Sequence, residues 1–214
     1  GGFWIGRYEA GTGTVRNEGD SATGITPLSK IDQYPINWVT CGEAQTIATS
    51  VPNKGSYNSS LMFGIQWDLV LRHLSNKGVE TSILTGDSKT WGNYYNQQFI
   101  INRGKYSEAS PWNVYKDYTT GTANKVTVEG GVSTKVGTTI ANRILLTTGA
   151  VDVNSQKNIY DLAGNVCEWT LEKTSNGSYP CANRGGDFMS IALYTPVSCH
   201  NHNNKSNSNM NTRI

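Results

Sequence analysis

The sequence predicts an α+β domain in which two short amphipathic helices cover a small sheet and much of the remaining chain is loop. Two helical patterns and the composition carry that expectation. Thr40-Cys41-Gly42-Glu43 has the form of a capping box, and Ala44, Ile47, Ala48 and Val51 then follow one helical face, which predicts a first helix from Cys41 to Ser50. Trp67, Val70, Leu71 and Leu74 fall at i, i+3, i+4 and i+7, which predicts a second helix from Gln66 to Ser75 with Gly78 as its stop. The 214 residues include 23 glycines, with frequent Asn and Ser and few other helical periods, so the connecting chain reads as loop.

In chain order, Phe3 to Glu9 reads as an opening strand and Gly11 to Gly24 as a polar loop ahead of the helices. From Thr81 to Gly137 the pattern is irregular, with turn signals at Gly86-Asp87, Trp91-Gly92-Asn93 and Gly130-Gly131. There is no internal repeat and no domain boundary, so residues 1–214 read as one domain. A hydrophobic content of 36% is enough to bury a core without disulfides.

Eighteen Lys and Arg stand against 16 Asp and Glu with no basic run, which gives no electrostatic footprint for nucleic acid. No apolar run approaches the roughly 20 residues that span a bilayer, so no membrane insertion is expected. The start Gly1-Gly2-Phe3-Trp4 lacks the charged and apolar regions of a signal peptide and reads as a domain cut from a longer chain. Cys41, Cys167, Cys181 and Cys199 have no CxxC spacing and are too widely placed for a zinc site, so free thiols are expected rather than a disulfide framework. There is no GxSxG elbow, HExxH helix or phosphate loop, and His73 sits within the second helix as a surface or interfacial side chain.

The segment Asn158-Ile159-Tyr160-Asp161-Leu162-Ala163-Gly164-Asn165-Val166-Cys167-Glu168-Trp169-Thr170, followed by Asn183-Arg184-Gly185-Gly186-Asp187-Phe188, resembles the core signature of the formylglycine-generating-enzyme family. Phe3 to Glu9, Tyr34 to Thr40, Phe63 to Asp68 and Trp91-Gly92-Asn93 are similar to that family in order, whereas Tyr94 to Gly149 matches poorly. The resemblance implies a C-type lectin-like fold of the formylglycine-generating type, with two helices, short antiparallel strands and extensive ordered loops.

The resemblance also implies a structural calcium ion held by the Asp161 side chain, the Gly164 and Val166 carbonyls and the Glu168 carboxylate. Calcium takes about six to eight oxygens at flexible geometry, and a tight glycine-containing turn lets such groups converge. Asp161 stands where some relatives carry Asn. The other reading of the same residues is that Asp161 and Glu168 cap turns while Leu162 and Trp169 fill the core. Enzymes of the family hold copper with two cysteine thiolates, soft ligands suited to Cu(I), a few residues past the Gly-Gly pair. Those positions correspond to Ser190 and Thr195, and Cys199 stands alone nearby, so neither copper nor catalysis is expected.

The Asn-rich stretch from His200 to Asn211 resembles the variable region of proteins diversified by retroelements, which use this scaffold to display altered side chains. Mutating the adenines of an Asn codon reaches Phe, Ser, Ile, Leu, Tyr, Cys and His, and Phe188, Ser190, Ile191, Leu193, Tyr194, Cys199, His200 and His202 belong to that set. Met189 and Met210 do not, and Thr195 to Ser198 reads as fixed. These eight residues are the candidate ligand-binding set, within a variable region 187–211, and Thr212-Arg213-Ile214 is expected to begin a final strand. Exposed apolar and Tyr side chains would make an interaction surface, while alternation along a strand would bury some of them. The expected function is a non-catalytic ligand-binding display domain of a phage tail or bacterial surface protein that recognises a protein or glycan receptor. The alternatives are a copper-dependent oxidase and a structural appendage without ligand.

Overall fold

The structure is a computed structural model that describes residues 2–51, 55, 57–97, 99–108, 110–118, 125–129, 132–135, 138–139, 143–204, 206 and 212–213, of which 125–129, 132–135, 138–139 and 212–213 are described by their backbone alone. The turn expected at Gly130-Gly131, and Met210, Asn211 and Ile214, lie outside the described residues.

The first half of the chain runs β1 (Gly11–Thr12), β2 (Tyr34–Pro35), α1 (Cys41–Thr49), α2 (Gly64–Asn76) and α3 (Thr81–Thr85). Short strands follow: β3 (Phe99–Ile100), β4 (Lys105–Ser107), β5 (Lys116–Asp117), β6 (Lys125–Glu129), β7 (Val132–Lys135), β8 (Thr138–Thr139) and β9 (Leu145–Leu146). The last part holds β10 (Ser155–Gln156), β11 (Ile159–Tyr160), β12 (Cys167–Lys173), β13 (Cys181–Arg184), β14 (His200–Asn203) and β15 (Thr212–Arg213). The fold is therefore α+β, with small, mainly antiparallel sheets. The sheet that matters for the site has the order β14-β13-β12-β15, in which β15 runs parallel to β12.

Helix α1 starts at the capping box, where the Glu43 carboxylate accepts from the Thr40 N–H at 2.8 Å and the Thr40 hydroxyl accepts from the Glu43 N–H at 3.4 Å. Ala44, Ile47 and Ala48 are buried, but the helix ends at Thr49, so Val51 falls beyond it and is exposed. Helix α2 begins at Gly64, two residues before the expected Gln66, because the Gln66 side chain reaches back to the Phe63 N–H at 2.8 Å. It stops before Gly78, whose φ of 87° continues the chain in the left-handed region. Helix α3 has five residues with only Leu84 buried, too short to register as a period.

Phe3 to Glu9 is not a strand. Its backbone is satisfied outside any ladder: the Tyr8 N–H donates to Ser29 Oγ at 3.1 Å, the Ser29 hydroxyl donates back to the Tyr8 carbonyl at 3.0 Å, and the Arg7 carbonyl accepts from the Tyr160 N–H at 2.8 Å. Gly11 and Thr12, expected in a loop, instead pair with Pro35 and Tyr34.

Helices α1 and α2 both contact β12 and contribute to different core clusters. In one, α1 packs Ala44, Ile47 and Ala48 with Ile36, Val39, Leu61 and Trp169, whose indole N–H donates to the Val39 carbonyl at 3.0 Å. In the other, α2 packs Trp67, Val70, Leu71 and Leu74 with Trp91, Tyr94, Leu162, Ala192 and Val197. A third cluster joins Trp112, Leu145, Val166 and Phe188. Among the described residues no helix is long and apolar enough to cross a membrane.

Candidate functional site

The loop entering β12 and the loop leaving β13 are stitched to each other and to the Trp91-Gly92-Asn93 turn. Asp161, Gly164 and Asn165 have φ of 56°, 71° and 61°, a left-handed sequence that Gly and Asn accept at small cost. The Gly164 N–H donates to the Gly185 carbonyl at 2.8 Å, the Asn165 N–H to the Asn93 carbonyl at 2.9 Å, and the Phe188 N–H to the Asn165 carbonyl at 3.0 Å. The buried Asn165 side chain is the hub. Its Oδ1 accepts from Asn93 Nδ2 at 2.8 Å and from the Leu146 N–H at 3.1 Å, and its Nδ2 donates to Glu9 Oε2 at 2.8 Å and to the Leu146 carbonyl at 3.3 Å.

Gly185 and Gly186, at φ of 90° and 70°, make the tight turn after β13. A side-chain carbon at Gly185 would collide with the Glu168 carboxylate and the Leu162 carbonyl, and one at Gly186 with the Thr195 carbonyl and the Tyr94 ring. The Tyr94 hydroxyl spans this turn and the next, 2.8 Å from the Gly185 carbonyl and 3.0 Å from that of Thr195. Val197 is pinned beyond it: its carbonyl accepts from the Trp67 indole at 2.9 Å and its N–H donates to Ser88 Oγ at 3.0 Å. The segment 187–196 is thus held at both ends by buried groups.

Between those anchors the eight candidate residues divide. Phe188 is a correction to the expected exposed face: it is completely buried, edge-on to Trp112 with ring centroids 5.0 Å apart. Its N–H is tied to Asn165 in the centre of the domain, which turns the ring inward. Ser190 and Ile191 are half-buried, with the Ser190 hydroxyl donating to Asp187 Oδ1 at 2.8 Å. Leu193 and Tyr194 face outward, 56% and 73% exposed. Cys199 is half-buried, and its thiol is raised by burial although the Arg184 charge pulls it down. His200 and His202 are exposed on β14 with ring centroids 5.5 Å apart, while Cys199 Sγ lies 3.7 Å from Asn201 Oδ1. Asp187 is buried, and desolvation raises its carboxyl, countered by the Ser190 and Met189 hydrogen bonds.

Asp161, Gly164, Val166 and Glu168 are all buried around the first loop. Asp161 Oδ2 accepts the Gly149 N–H at 2.6 Å, and Glu168 packs against Gly185. Carboxylates and backbone carbonyls are hard oxygen donors of the kind calcium takes. Among the described residues no three His, Cys, Asp or Glu side chains form a metal-holding group, and the calcium set uses only two such side chains.

Two features have no local sequence signal. A cleft of about 230 Å³ brings Glu9 and Glu168 together with Trp4, Tyr8, Met62 and Tyr160, residues drawn from distant segments. Arg184, with a side chain only 6% exposed, reaches Glu172 Oε2 through Nε at 2.9 Å, the Ser198 carbonyl at 3.0 Å and Asp68 at 3.3 Å, and so ties β13 to β12, to the 196–199 turn and to α2.

Compared with known proteins, the chain matches no family model and no curated protein.

Proposed function

We propose that this chain is a non-catalytic ligand-binding display domain built on a C-type lectin-like fold of the formylglycine-generating type. In particular, we read it as a retroelement-diversified variable protein of a phage tail or bacterial surface, with 187–211 as its variable region and a protein or glycan receptor as its partner. The observation that carries the reading is the contrast within one segment: Leu193 and Tyr194 are large, apolar and outward, while the backbone on either side is fixed by Tyr94, Trp67 and Ser88. Exposed Tyr supplies wide contact area at low entropy cost, and a rigid scaffold beneath a loop is what permits its side chains to vary. Ser190 and Thr195 stand where family oxidases carry thiolates, which favours binding over copper chemistry. A structural calcium ion at Asp161, Gly164, Val166 and Glu168 belongs to the same reading.

The test compares the chain with a Leu193→Ser, Tyr194→Ser variant for binding to a panel of bacterial cells and glycans. A binding pattern that changes at constant melting temperature supports the proposal. An identical pattern, no binding to any member of the panel, or copper-dependent oxidation of a cysteine peptide overturns it.

A further inference from the structure

We propose that His200 and His202 form a surface site for a late first-row divalent metal ion such as zinc or nickel, with Glu172 as the residue that positions His200. Residues two apart on a strand project to the same side, and β14 lies at the edge of its sheet, so both imidazoles stand side by side in solvent. Their centroids are 5.5 Å apart. With metal–nitrogen bonds of about 2.0–2.1 Å, two imidazoles on one tetrahedral ion have centroids roughly 5 Å apart, so the pair already stands close to the separation a chelate requires.

Glu172 supplies the second observation. Its Oε1 lies 3.1 Å from His200 Nδ1. That contact makes Nδ1 the protonated nitrogen and leaves Nε2 as the lone-pair donor, the arrangement in which a carboxylate behind a metal-binding histidine sets both tautomer and ring angle. Glu172 is itself immobilised, because Oε2 takes Arg184 Nε at 2.9 Å and a terminal guanidinium nitrogen at 2.8 Å. The buried guanidinium thus anchors a chain of contacts that ends at an exposed imidazole. Nitrogen donors of this kind suit zinc, nickel and copper rather than calcium. Water completes the coordination sphere, since the pair provides two protein ligands. This inference stands independently of the display reading.

Titration calorimetry with zinc chloride on the intact chain tests it, with calcium chloride as the control. One zinc per chain is expected, with affinity at least tenfold weaker in His200→Ala and in His202→Ala at unchanged melting temperature. Glu172→Ala is expected to lose 10–100-fold, about what removal of a supporting carboxylate costs, and Glu172→Gln, which keeps an acceptor for Nδ1–H, to recover part of it. Zinc binding that survives the double histidine variant, or that disappears instead in Cys41→Ser, Cys181→Ser, overturns the proposal, as does the absence of binding to the parent chain.

Discussion

The Asn93 side chain donates its amide to Asn165 Oδ1 across 2.8 Å and to the Ile144 carbonyl across 2.7 Å, joining three separate loops at a point with no access to water. Leaving a buried group without its partner costs about 1–3 kcal/mol. Asn165→Ala removes the acceptor of Asn93 and of the Leu146 N–H, and places Ala at a φ of 61° that favours Asn or Gly. We expect a loss of roughly 3 kcal/mol or more, read from urea unfolding. A loss below about 1 kcal/mol, the net worth of one ordinary hydrogen bond, would show that the hub is not structural.

Phe188 and Tyr194 separate packing from display. Phe188→Ala should cost about 3–5 kcal/mol, as for buried aromatics elsewhere, because it empties the space beside Trp112. Leu193→Ser and Tyr194→Ser should stay within about 0.5 kcal/mol of the parent. Melting curves of the three variants decide it, and equal losses would contradict the placement of the loop.

Calcium should raise the melting temperature if the first loop holds it. Ligand at a hundred times its dissociation constant stabilises by about 2.7 kcal/mol. The shift should vanish in Glu168→Gln. A melting temperature indifferent to saturating calcium rejects the site while leaving the fold untouched.

The Cys41 thiol meets that of Cys181 where α1 begins, and burial, followed by that contact, pushes it from 9.0 up to about 12. The folded chain therefore holds this proton more tightly than the unfolded one. The associated stability is complete below pH 9.0 and is lost as pH rises toward 12. Because the thiolate is the nucleophile, Cys41 should alkylate far more slowly in the native chain than in urea at pH 8. Mass-spectrometric labelling checks the rate, and rapid native labelling of Cys41 would refute the burial argument.

Burial likewise raises the Asp187 carboxyl above 3.8, so its contribution is full below that pH and declines as pH rises through the folded value. Asp187→Asn keeps an acceptor for Met189 and Ser190 without the charge. The variant should melt at or above the parent temperature at pH 7, with the gap closing toward pH 4. A lower melting temperature at pH 7 would mean that the charge itself stabilises the turn.

What the sequence determined by itself lies where the signal is local. The Thr40 and Glu43 capping box and the i, i+3, i+4, i+7 face of α2 each depend on residues a few positions apart, and each stands in the structure where the residue pattern places it. The return of the chain into strand at Thr212 is also present. Tertiary structure decided the rest. Phe3 to Glu9 has strand-like residues, but a strand needs a ladder, and Ser29 and Tyr160 take up its polar groups instead. Phe188 and Tyr194 are both aromatic members of one short segment, and nothing within that segment says that Asn165 will draw the first inward while the second stays in water. The pairing of His200 with Glu172, 28 residues away, depends on the β14-β13-β12 order and on the buried Arg184 between them. Helix period and capping are written in the covalent chain because backbone geometry repeats over a few residues. Which side chains meet across a sheet is set only when distant segments pack, since burial and hydrogen bonding there are properties of the assembled core.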